Sequence, residues 1–105
     1  MAERSAGAVG GGFAAVAGGA RWVYAGSLNF ADAGAVLAGA QAMPLPRDGI
    51  VDCAGIVAID SAAVAVLLSL KRRAATEGKS VVFANLPPAL AALAALYGVD
   101  ALLAG

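Results

Sequence analysis

Few residues in this chain can do bond-making chemistry, and the pair at its most telling junction is Asp60-Ser61. Histidine is absent, so imidazole-based metal sites, catalytic triads and general-base schemes lack their central member. Cys53 is the single cysteine and lies in an apolar stretch, so it forms no internal disulfide and reads as a buried, inert thiol in a reducing compartment. No predicted helix carries two carboxylates on one face to serve as an acid–base pair. Gly10-Gly11-Gly12 lacks the Lys-Ser/Thr that completes a phosphate-binding loop. This inventory predicts a protein that is not an enzyme and uses neither cofactor nor metal.

What Asp60 and Ser61 can do is turn a strand into a helix. They sit inside Ile50 to Lys79, IVDCAGIVAIDSAAVAVLLSLKRRAATEGK. The β-branched run Ile50, Val51, Ile56, Val57 and Ile59 suits a strand covered on both faces. Asp60 stops it, and either Asp60 or Ser61 can accept a hydrogen bond from the free N–H groups of the next turn. In the helix that follows, from about Ser61 to Glu77, 100° per residue gathers Val64, Leu67, Leu68, Leu70, Ala74 and Ala75 on one apolar arc. The opposite arc carries Ser61, Ala62, Ala65, Ser69, Arg72 and Arg73. Small residues on its first two turns leave the backbone approachable, so a second protein can lie close there. An Ala-rich helix turned to solvent gives the same pattern, because Ala is the best helix former.

The elements that position this junction follow in order. Met1 to Gly12 reads as a loose Gly/Ala-rich tail, and residues 13–105 as one domain. Phe13 to Ala17 and Ala20 to Ala25 form a hairpin across Gly18-Gly19. Trp22 and Tyr24 share a strand face and belong to the core, the alternative being an aromatic recognition surface. Gly26-Ser27-Leu28-Asn29 makes a turn, with Ser27 or Asn29 capping a helix from about Phe30 to Met43 whose apolar stripe is Phe30, Ala33, Leu37 and Ala40. Pro44 and Pro46 end it. Beyond the central helix, Gly78 suits a left-handed terminus, Ser80 to Ala84 reads as a strand, and Pro88 opens a last helix to about Tyr97 that buries Leu90, Leu93 and Tyr97 or Leu96 before Gly98. Val99 to Gly105 has room for a helical turn or a stub of strand. The alternation predicts an α/β fold: a mixed, mainly parallel sheet of four to five strands with about three packed helices.

Composition restricts the partners. Of 105 residues 61% are hydrophobic and 13% charged, so the surface is poorly charged and part of it is expected to be covered. Seven basic residues balance seven acidic ones, and Lys71-Arg72-Arg73 falls at a helix C-terminus, where the dipole favours cations, so no nucleic-acid partner is implied. Asp52, Asp60 and Lys71 divide the most hydrophobic region, and the start lacks a Leu-rich signal centre, so neither a membrane span nor a secretory signal is expected.

Ile50-Val51-Asp52-Cys53-Ala54-Gly55-Ile56-Val57-Ala58-Ile59-Asp60-Ser61, with this element order, resembles the STAS domain, named for sulfate transporters and anti-sigma factor antagonists. Gly26-Ser27-Leu28-Asn29-Phe30, and Asn85-Leu86-Pro87-Pro88-Ala89-Leu90 followed by Leu93, Leu96, Tyr97, Gly98 and Val99, are similar to the small STAS subunits of Mla-type phospholipid ABC transporters, which maintain outer-membrane lipid asymmetry. The resemblance implies a non-catalytic cytoplasmic subunit, peripheral to the inner membrane, that binds and stabilises an ATPase subunit working with a membrane permease. Its contact residues would be Asp60, Ser61, Ala62, Ala65, Ser69 and Arg72. In the anti-sigma factor antagonists the serine matching Ser61 is phosphorylated by a partner kinase, which makes Ser61 the phosphoacceptor in the alternative role. Ala63 stands where STAS sequences usually carry Gly, and it stiffens the turn that would present that serine.

Overall fold

A computed structural model describes residues 11–104. The expected tail thus falls outside the described residues except for Gly11 and Gly12, and Gly12 already begins the first strand. The elements are β1 (Gly12–Val16), a 3-10 turn (Ala17–Gly19), β2 (Arg21–Leu28), α1 (Phe30–Gln41), β3 (Ile50–Ile59), α2 (Ser61–Thr76), β4 (Val82–Ala84), α3 (Pro88–Leu96) and α4 (Asp100–Ala104). One sheet runs in the order β1-β2-β3-β4, antiparallel between the first two strands and parallel across the rest. The mixed, mainly parallel sheet and three principal helices agree with the α/β expectation.

The hairpin turns through Ala17, Gly18 and Gly19, all at positive φ, so the connection is longer than a Gly-Gly pair. Gly26-Ser27-Leu28, expected as a turn, remains in the strand because it pairs with Ile56, Val57 and Ile59 of β3. β3 holds two more residues than the stretch of β2 it faces. The register slips once beyond Asp52, between the Val23 and Ala25 pairings, and again where Ser27 faces Val57 and Leu28 faces Ile59. At the first slip a Cβ on Gly55 would collide with the Tyr24 carbonyl, so only glycine lets the strands close. At the second, Ala58 sits in the left-handed region at φ 49°. Such bulges re-aim a strand's end, and here that end delivers Asp60.

A single core lies on one side of the sheet. Trp22, Tyr24 and Leu28 of β2, Val51, Cys53 and Ile56 of β3, and Phe83 of β4 meet Val64, Leu67, Leu70, Leu90 and Leu103 from the helices. The Phe13 ring packs edge-on to Tyr24, with centroids 4.7 Å apart, and the Trp22 indole donates to the Pro44 carbonyl. Trp22 and Tyr24 are thus core residues. Among the described residues β3 is covered on one face only, contrary to its sequence pattern, because each described helix packs into this core: Val57 is 57% exposed and Ala54 and Ala58 are exposed. In α2 the inward arc is Ala63, Val64, Val66, Leu67, Leu70 and Ala74, while Ala75 is exposed. In α3 Leu90 and Ala94 are buried, whereas Leu96 and Tyr97 are exposed, because Gly98 turns the chain into α4 and Leu103 takes the core position.

Burial pushes the Tyr24 phenol up to about 12, with the Asp32 charge adding to it. It likewise pushes the Cys53 thiol up to about 12, aided by the charge of Asp52. Both groups hold their proton more tightly when folded than when unfolded. Their contribution is therefore constant below pH 9 and is lost as pH rises toward about 12. Urea unfolding across that range should show falling stability, with a shallower fall in Tyr24→Phe and in Cys53→Ala. The bulges give a second test by thermal and urea unfolding. Gly55→Ala should cost about 1–3 kcal/mol through backbone overpacking, whereas Ala58→Gly should be neutral or stabilising by up to ~1 kcal/mol, because it relieves a left-handed alanine.

Candidate functional site

The parallel strands β2 and β3 end side by side, and each leads directly into a helix. Asn29 caps α1: its side chain accepts from the Ala31 N–H, and the Asp32 carboxylate accepts from the Asn29 N–H and from the Ser27 hydroxyl, 2.7 Å away. Asp60, not Ser61, caps α2, accepting from the Ala62 N–H at 2.9 Å through Oδ1. Its second oxygen, Oδ2, accepts from the Phe30 N–H, also at 2.9 Å. One half-buried carboxylate therefore satisfies an orphan donor at the start of both helices and favours both dipoles.

The far ends are tied by another α2 side chain. Arg73 donates to the Ala40 carbonyl at 2.9 Å and the Met43 carbonyl at 2.6 Å, in and just beyond the last turn of α1, while its Nε meets Glu77 at 2.7 Å. Expected on the outward arc, Arg73 instead closes the C-terminus of α1. The two helices consequently run in the same direction, held at both ends. Such ties matter for α1, which buries only Val36 and Ala40 and contains Gly34 and Gly39, each about 1 kcal/mol less favourable in a helix than Ala.

Between these ties lies a groove of about 610 Å³, lined by Phe30, Ala33, Gly34 and Leu37 of α1 and by Ser61, Ala62, Ala65, Val66 and Ser69 of α2. It is mostly apolar. Phe30 is 85% exposed at its mouth, Ser61 and Ala65 are exposed, and Ala62 and Ser69 are half-buried. Of the six residues singled out in sequence, Ser61, Ala62, Ala65 and Ser69 line the groove together. Asp60 stands at its head as the shared cap. Arg72 lies beyond the lining, exposed, its guanidinium 3.3 Å from the Ser69 hydroxyl.

The α1 wall escaped recognition as part of the site. Of the expected stripe Phe30, Ala33, Leu37 and Ala40, Ala40 is buried and Ala33 packs partly against the core, but Val36 takes the other inward position and Phe30 is exposed. The available signal was Phe30, a large aromatic in a helix's first turn with small residues one turn on.

Away from the groove, the Ala54 N–H and then the Asn85 amide bond the Asp52 carboxylate and hold it below the usual range. Burial lowers Lys71, whose ammonium donates to the Val81 carbonyl at 2.7 Å and lies 5.5 Å from the Phe83 ring centroid. Among the described residues no cluster of three metal-ligating side chains occurs, and no helix is long and apolar enough to cross a membrane.

Comparison with known families matches residues 23–104 to the family model described as Mlab, STAS domain. No curated protein matches the chain.

The double cap makes a specific stability prediction. Asp60→Ala should lower the unfolding free energy by about 2 kcal/mol, one cap for each helix, and speed amide exchange at both Phe30 and Ala62. Asp60→Asn, with one acceptor oxygen left, should lose about half as much. Urea unfolding and hydrogen exchange read the outcome, and loss of protection at Ala62 alone would contradict the bridge to α1.

Proposed function

This chain belongs to the STAS family of regulatory domains, and on that footing we propose that it is a non-catalytic adaptor that seats the ATPase subunit of an Mla-type phospholipid ABC transporter in the α1–α2 groove. The observation that carries the proposal is the groove itself, open and apolar at the shared start of two helices. Small side chains on α2 let a partner approach its backbone, and Phe30 offers a large exposed ring. Buried aromatic anchors dominate interface energies, with surrounding small residues excluding water. The family description names Mlab, and the segments around Phe30 and Asn85 resemble that subunit, which supports the transporter over other STAS roles. In this role the protein works in the cytoplasm, reaching the inner membrane only through the complex. Asp60 and Arg73 set the spacing of the groove walls, and Arg72 is placed to meet an acidic group at its rim.

Co-expression with an Mla-type ATPase should give a stable complex. Ser61→Arg and Ala65→Arg, which force a charge into a desolvated contact, should weaken it by roughly 100-fold or more without unfolding the protein. Phe30→Ala should weaken it roughly 10-fold or more. Equal co-purification of wild type and Ser61→Arg would show that the groove is not the seat.

Ser61 supports a second reading, a phospho-regulated anti-sigma factor antagonist, because it is exposed and Asp60 leaves it free of the capping task. Phosphate there would add about −1.5 to −2 charge beside the Asp60 carboxylate and at the mouth of an apolar groove, opposing occupation by a partner. Intact-mass measurement after incubation with a cognate anti-sigma kinase, with Ser61→Ala as the control that locates the adduct, tests this reading: a phosphate adduct that Ser61→Ala abolishes supports the switch, and its absence counts against it.

A further inference from the structure

The sheet has a second face that the helices of the described residues leave open. Trp22 faces Val51 and then Phe83 along one inward row, so alternation turns the neighbouring rows outward: Val16, Arg21, Ile50 and Val82 in one, Ala14, Val23, Asp52 and Ala84 in the next. Val57, one position past the inward Ile56, extends this face and is 57% exposed, while Val82 is 50% exposed. Val16, Val23 and Ile50 are half-buried. Five β-branched residues spread over all four strands give this face the apolar character of a covered layer, and the parallel run β2-β3-β4 is of the kind that all-parallel sheets cover on both faces.

We infer that a second copy of this chain covers that face, packing sheet against sheet about a two-fold axis. The charged members of these described rows are Arg21 and Asp52, on adjacent strands, and the two lie close enough for Arg21 to help hold the Asp52 carboxyl low. A two-fold axis running between them sets each Arg21 against the partner's Asp52, so the face is complementary to itself in charge as well as in apolar character. Residues 1–10 are poor candidates to cover it, since Met1 and Val9 are their only apolar side chains larger than Ala. Four strands about 4.8 Å apart and some 20–25 Å of strand length give roughly 400–500 Å² per copy, which places the contact among weak, reversible interfaces. It lies across the sheet from the α1–α2 groove, so a subunit seated there leaves it free.

Sedimentation velocity on the full chain from about 5 to 500 µM tests the inference. Wild type should pass from monomer to dimer with a dissociation constant on the order of 10–100 µM, the scale of a small interface. Val23→Lys/Val82→Lys should stay monomeric throughout while keeping the wild-type circular dichroism spectrum. Should that pair disturb folding, Arg21→Glu, at an exposed position, should still weaken the dimer about tenfold or more by opposing like charges. Ser61→Arg should dimerise as wild type does. A wild type monomeric at 500 µM overturns the inference, as does a dimer that Ser61→Arg abolishes, which would place the contact in the groove. A chain that dimerises only after removal of residues 1–10 would assign the face to that segment and overturn it equally.

Discussion

The arrangement of this molecule depends on one carboxylate shared by two helices. Asp60 ends β3 and accepts from the first N–H of α1 and from the second residue of α2. A free N–H at a helix start normally finds a local side chain or water. Here two such donors converge on a single side chain because β2 and β3 are adjacent, parallel and end at the same level. The groove exists because the helices start together and stay parallel, with Arg73 holding them at the far end.

The backbone of β3 is shaped to deliver that carboxylate. Two extra residues relative to β2, one slip closed against Gly55 and the other at a left-handed Ala58, shorten the strand's effective advance and turn its end. Strain in a non-glycine residue persists only where surrounding structure over-determines it. At Ala58 the determinants are the pairings of Val57 and Ile59 on either side and the capping bonds of Asp60 immediately beyond. The bulge is thus part of the site's construction.

A one-sided fold leaves two dissimilar surfaces. On the helical side, the small residues of α2 and the Gly/Ala-rich α1 cannot fill the space between their axes, so a groove remains where other helix pairs would interdigitate. On the other side, the apolar rows of the sheet meet no helix of the described residues. Both follow from a composition in which 61% of residues are hydrophobic and 13% are charged, more apolar surface than one core of this size can enclose.

Several features were legible in the residues themselves. The strand-to-helix junction at Asp60, the inward Leu67 and Leu70, the core roles of Trp22 and Tyr24, the left-handed Gly78, Gly98 as the end of the last long helix, and Pro88 at a helix start depend on local periodicity, steric freedom or a missing N–H, all properties of short stretches of chain. The open arc of Ser61, Ala62, Ala65 and Ser69 was likewise visible from spacing. Other features needed the tertiary structure. That Asp60 reaches Phe30, thirty positions away, that Arg73 closes α1 and that Phe30 forms a groove wall instead of core are set by which strands lie side by side and by two register slips. Nor does an apolar β-branched run show how many of its faces the same chain will cover, because hydrophobicity reports the demand for burial and only the packing of distant elements decides what meets it.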